Sequence, residues 1–359
     1  MSSEKLDAFV RPMRVFVARN SKADASIRSR VSMPAVRAPG IPSTPKHDLI
    51  FHGGNTIADL IFMNFFVGGS SAWNASDIKS INDSLAAAMS DKNLNNVMSQ
   101  YYPSGLITST FQGSQILAGP KPSTVSQGDV ENLVRRLFQT GTLNGVKFLS
   151  TVLNFMLPSG TVLNTDLAPT TGAISATVET AHDEKGVVKA LASVVPPQDA
   201  EDSKHGLGGY HGSIHVGTGS AAQTIYYAVG VFSEQLTDGT VNGIPAFDKP
   251  WKNVVATFYH ELNEARTDPD VEDAINAGNS PNAIKFLGWT SAQGEECGDF
   301  PVFEANPLTQ VFQEVKLTHS QNTVPVQFQY SDADHGPGEP RPAPAPFAGS
   351  THVKHHKAG

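Results

Sequence analysis

The stretch PWKNVVATFYHELNEARTDP, bracketed by Pro250 and Pro269, constrains this chain more than any other. Proline is free of cost in a first helical turn, where its missing N–H would have no partner, and it drives the residue before it out of helical backbone. The two prolines predict a helix that opens at Asp248 and closes before Pro269. With His260 at zero and about 100° per residue, Val254, Val255, Phe258, Leu262 and Ala265 form one apolar stripe. His260 and Glu264 share a direction away from it, and Glu261 lies between them and the stripe. Such a helix demands a large apolar surface to lie on, so it belongs to a folded domain.

Its polar face has two readings. Residues one turn apart are neighbours, so His260 and Glu264 can converge on one ion. Glu261 then stands where it can polarise a metal-bound water, and His₂Glu donor sets suit catalytic zinc. The other reading is an ordinary amphipathic surface helix with a solvated His/Glu/Thr face. Further donors occur in two glycine-rich stretches. GEECGDF concentrates Glu295, Glu296 and Asp299, which read as a third zinc ligand, as oxygen ligands for calcium, or as an acidic surface loop. GGYHGSIHV, if extended, puts His211 and His215 on one face of a strand, ~13 Å apart, with Tyr210 on the other.

Composition sets the outer limits. Residues 1–46 hold nine Lys/Arg against three Asp/Glu, leaving the rest of a −8 chain at −14. This reads as a flexible basic arm (1–46). No aromatic residues interleave with the basic ones, so no nucleic-acid partner is expected. Residues 331–359, rich in Pro-Ala and histidine, read as a disordered tail. The single Cys297 excludes a disulfide framework and a Cys-rich zinc module. No apolar run reaches the ~18 residues of a membrane span, and none near the start has signal-peptide length, so a cytoplasmic location is expected. Between the tails, residues 47–330 mix strand, helix and turn signals without a regular βαβ rhythm, which predicts one α+β domain. Serine-hydrolase elbows, phosphate loops and dinucleotide fingerprints are absent from the sequence.

Four stretches carry a resemblance: FHGGNTIADLIF, GGYHGSIHV, HELNEARTDP and GEECGDF. Together they resemble a group of bacterial and fungal proteins distantly related to the plant phosphate-induced, EXORDIUM-like family. Cys297 stands where that group has isoleucine. The secretion signal and extra cysteines frequent in the group are not found here. The resemblance implies a zincin-like α+β fold, with a mixed twisted sheet packed by helices. It also implies His260 and Glu264 as metal ligands and Glu261 as base. The leading expectation is therefore a zinc-dependent hydrolase similar to a metallopeptidase, acting on a peptide or small-molecule substrate. Its third ligand would come from His211, Glu296 or Asp299, and Tyr210 or Tyr259 would stabilise an oxyanion. Two alternatives stand beside it. One is a non-catalytic binding or structural protein whose carboxylates hold calcium or hydrogen-bond turns. The other is a metal-assisted lyase or tailoring enzyme acting on a small molecule.

Overall fold

The longest apolar runs of the sequence become the middle of a sheet. In the computed structural model, which describes residues 15–17, 41–170, 174–179, 202–236, 239–278, 280 and 282–349, the sheet has six strands. They are β1 (Val15–Val17), β2 (Asp59–Phe66), β3 (Thr108–Ile116), β4 (Thr151–Met156), β5 (Leu207–Val216) and β6 (Gln223–Gly230). Their spatial order is β1-β5-β6-β4-β2-β3. Strands β3, β2, β4 and β6 run parallel, whereas β5 and β1 are antiparallel to their neighbours. Strand β4 is buried at every residue, as a parallel strand covered on both faces must be. Its buried asparagine is absorbed by a ladder across the sheet. Asn154 donates to Asn64 (2.9 Å), Asn64 to Asn82 (2.8 Å) and Asn82 to Ser114 (2.8 Å).

Six α-helices accompany the sheet among the described residues. They are α1 (Ala75–Ser90), α2 (Lys92–Asn95), α3 (Gln127–Gln139), α4 (Pro250–Thr267), α5 (Val271–Asn276) and α6 (Asp299–Glu304). Helices α1 and α4 pack on one face with the hairpin β7 (Phe312–Lys316) and β8 (Thr323–Gln327), around Phe62, Val152, Ala228, Phe258 and Leu262. Helix α3 covers the other face, over Phe65, Phe155, Tyr210 and Val229. The helix expected between Pro250 and Pro269 is α4, starting at Pro250 itself. The α+β class holds, with a sheet of mixed strand direction. No described helix is long and apolar enough to cross a membrane.

The tails begin elsewhere than expected. Within the 1–46 arm, Val15–Val17 pairs with β5 as an edge strand. The Thr44 amide donates to the His335 carbonyl (2.7 Å). The 331–359 tail is packed as far as residue 349. Tyr330–Ser331 pairs with Gly336–Pro337, and Phe347 lies edge-on to Trp289. Ala345 and Ala348 are buried against the body, their amides donating to Asn96 and Gln100. Proline-alanine chain cannot build a core of its own, but it can lie on one, and this segment does. His352, His355, His356 and most of the basic arm lie outside the described residues.

Candidate metal centre

Helix α4 is buried on every side: each residue from Asn253 to Thr267 is shielded from solvent. The apolar stripe faces the sheet and α1, as expected. The polar face is covered too, by β8 and the 295–299 loop, and this overturns the surface-helix reading. Glycine permits the close approach on both sides. A Cβ on Gly209 of β5 would lie 2.6 Å from the Val229 carbonyl oxygen and 3.2 Å from Glu261 Oε1. One on Gly298 would lie 2.3 Å from His260 Nδ1 and 2.9 Å from Glu264 Oε1.

The side chains that meet there come from three elements. His211 of β5 places Nδ1 3.3 Å from Glu261 Oε2 and 3.8 Å from Glu264 Oε2. Its Nε2 lies 3.4 Å from Glu296 Oε1 and 3.3 Å from the Asp268 carbonyl oxygen. Within α4, His260 Nε2 is 3.0 Å from Glu264 Oε2. An imidazole gives an ion one nitrogen only, so a cation shared by His211, Glu264 and Glu296 would take one of its two ring nitrogens and leave the other to its hydrogen-bond partner. Two triads emerge, His211–Glu264–Glu296 and His260–Glu261–Glu264, each with its ligand atoms within 4.8 Å of one another.

Of the expected site residues, His211, His260, Glu261, Glu264 and Glu296 are brought together. Asp299 stands behind them, its Oδ2 accepting from the Glu296 amide (2.9 Å). The 295–299 segment is buried, so it is not an acidic surface loop. Tyr210 is a correction. Side chains alternate along β5, so Tyr210 enters the core on the α3 face while His211 faces α4, and its hydroxyl reaches the Asn164 carbonyl (3.4 Å). It cannot stabilise an oxyanion at this centre. Tyr259 is likewise turned away, its hydroxyl 3.4 Å from Asn95 Oδ1. His215, four residues along β5, is exposed and pairs with Asp273 at 2.8 Å.

Three residues of the centre escaped the sequence reading. Asp268 continues the spacing of His260 and Glu264 by four more residues, so the helix face itself pointed to it. Its Oδ1 accepts from the Gly288 amide (2.8 Å). Gln327 and Gln329 come from β8 and the chain just after it, where no local pattern marks them. Gln327 Oε1 lies 2.8 Å from His260 Nδ1, and Gln329 Nε2 donates to the same oxygen (2.9 Å).

Burial dominates the electrostatics. It pushes Glu261 up to about 8, with Glu264 adding repulsion and the His211 contact opposing it. Burial raises Glu296, Asp299 and Asp268 well above the usual carboxylate range, and the neighbouring Glu264 adds to each. Glu261 Oε1, Glu264 Oε2, both Glu296 side-chain oxygens, Asp268 Oδ2 and Asp299 Oδ1 are buried with no hydrogen-bond donor. Arg266, on the same helix, directs its Nη2 to the Thr108 carbonyl (2.7 Å) and to Ser109 Oγ (3.1 Å). No family model matches this chain, and no curated protein or solved structure matches it either.

Proposed function

We propose that this chain is a divalent-metal protein in which an ion tied to His211, Glu264 and Glu296 joins β5, α4 and the 295–299 loop. The single observation that carries this reading is the group of buried carboxylate oxygens without donors. A carboxylate withdrawn from water needs a proton, a donor or a cation, and here one ion can serve several at once. Imidazole among the donors favours zinc over calcium, whose sites are built from oxygen alone. Asp299 and Asp268 act on the chain around the ion, fixing the Glu296 and Gly288 amides. Every ligand side chain is fully buried, which is the closed form of a structural site rather than the open form of a catalytic one.

Metal analysis of the full chain carrying His352→Ala, His355→Ala and His356→Ala is the test. At least one tightly held equivalent of zinc is expected after dialysis. None, together with an unchanged melting temperature on zinc addition, rejects the reading.

A zinc-dependent hydrolase, zincin-like in fold, is the second reading, and Glu261 favours it. Its Oε2 lies 3.3 Å from His211, while Oε1 has no donor and is positioned to take a proton from water. A bound zinc would supply Lewis acidity there. The covering segment at Gly298 would have to move for a substrate to enter. Glu261→Gln separates the two: loss of hydrolysis with the ion on His211, Glu264 and Glu296 retained supports the enzyme, and no hydrolysis in either the wild type or the variant supports the structural site.

A further inference from the structure

Glu264 belongs to two triads, and only one of them is used by the ion proposed above. Resting on that metal reading, we infer that Glu264 bridges two divalent ions, the second held by His260 and Glu261. Three observations lead there. First, the His260 ring is set as a ligand. Gln327 Nε2 donates to the Gly298 carbonyl (3.2 Å), which leaves Gln327 Oε1 facing His260 Nδ1 at 2.8 Å as an acceptor. Nδ1 therefore carries the proton, which leaves the lone pair on Nε2, 3.0 Å from Glu264 Oε2. A histidine held this way by its second nitrogen is the usual preparation for metal ligation.

Second, Glu261 is wholly buried with no donor to its Oε1, and it offers a carboxylate oxygen within 4.8 Å of the ligand atoms of His260 and Glu264. Third, six buried carboxylate oxygens of this centre have no donor, more than one four-coordinate ion can take up. Glu261, Glu264, Asp268, Glu296 and Asp299 set five carboxylates against two imidazoles, none exposed beyond 1%. A carboxylate bridge also explains why Glu264 is the member common to both triads: its Oε1 accepts from the Gly298 amide (3.0 Å), which fixes the side chain between them.

The experiment is metal stoichiometry on the full chain with the three tail histidines replaced, using zinc alone and then manganese(II) alone as the probe. Two equivalents per chain are expected. His260→Asn and Glu261→Gln should each lower the count to one, as should His211→Asn, whereas Glu264→Gln should lose both. Should a variant fail to fold, the wild-type protein loaded with manganese decides. A carboxylate-bridged pair gives an exchange-coupled electron paramagnetic resonance spectrum that changes between one and two added equivalents. One equivalent with an uncoupled spectrum overturns the bridged pair and leaves the single-ion reading intact. No bound metal overturns both.

Discussion

Helices α3 and α4 lie on opposite faces of one sheet and obey different rules. In α3 the buried residues Val130, Leu133, Val134 and Leu137 form a stripe, while Glu131 and Arg135 pair one turn apart at 3.3 Å on the partly exposed side. Its start is fixed by a capping box, with Ser126 accepting from Asp129 and Asp129 from Ser126. Helix α4 has no side-chain cap and no solvated side. It puts His260, Glu261 and Glu264, with Asp268 just past its end, where α3 would put a surface. An amphipathic pattern shows which residues are polar, then, but not whether water or a second protein layer lies beyond them.

Removing metal should separate the two helices most sharply. At a thousandfold excess over Kd a ligand stabilises by about 4 kcal/mol, so dialysis against a chelator should lower Tm by ~10 °C. Calorimetry before and after zinc restoration measures it, and an unchanged Tm breaks the contrast. Next in size, Leu133→Ala in α3 should cost about 3 kcal/mol as a core cavity. Denaturant unfolding gives the loss, and metal content should stay at the wild-type value. Gly298→Ala should cost about 2 kcal/mol by overpacking against His260; unlike Leu133→Ala, it should weaken zinc affinity, as read by competition with a chromophoric chelator. Smallest, Ser126→Ala should cost about 1 kcal/mol through the lost cap. It should leave zinc affinity as it was, in the same two assays.

The elements with local causes were legible before any coordinates. Pro250 and Pro269 bounded α4, and the apolar runs through Phe62 and Phe155 became buried strands. The shared direction of His260 and Glu264 followed from spacing, and the glycine-rich settings marked His211 and Glu296 as candidates that the fold brings beside them. What stayed hidden depends on contacts distant in sequence. Nothing near Gln327 foretells that it will orient His260, because that contact exists only once β8 crosses α4. Tyr210 is the opposite case: the strand alternation that turns it from His211 is local, and only its chemical type suggests a place at the centre. The composition of 331–349 is silent about a surface built from Tyr101, Trp289 and Phe300, on which the segment lies.

The stitch between the two ends of the body has a mechanical consequence. Besides the Thr44–His335 backbone bond, the Tyr330 hydroxyl donates to the Thr44 carbonyl (2.7 Å) and His335 Nδ1 lies 2.9 Å from Asp48. Tension applied between residues 44 and 335 is borne first by these few bonds, which lie side by side at one corner. The chain between them hangs as a closed loop that carries no load until they part. Helix α4 and its carboxylates sit inside that loop, so a pull on the ends breaks the clasp before it strains the centre.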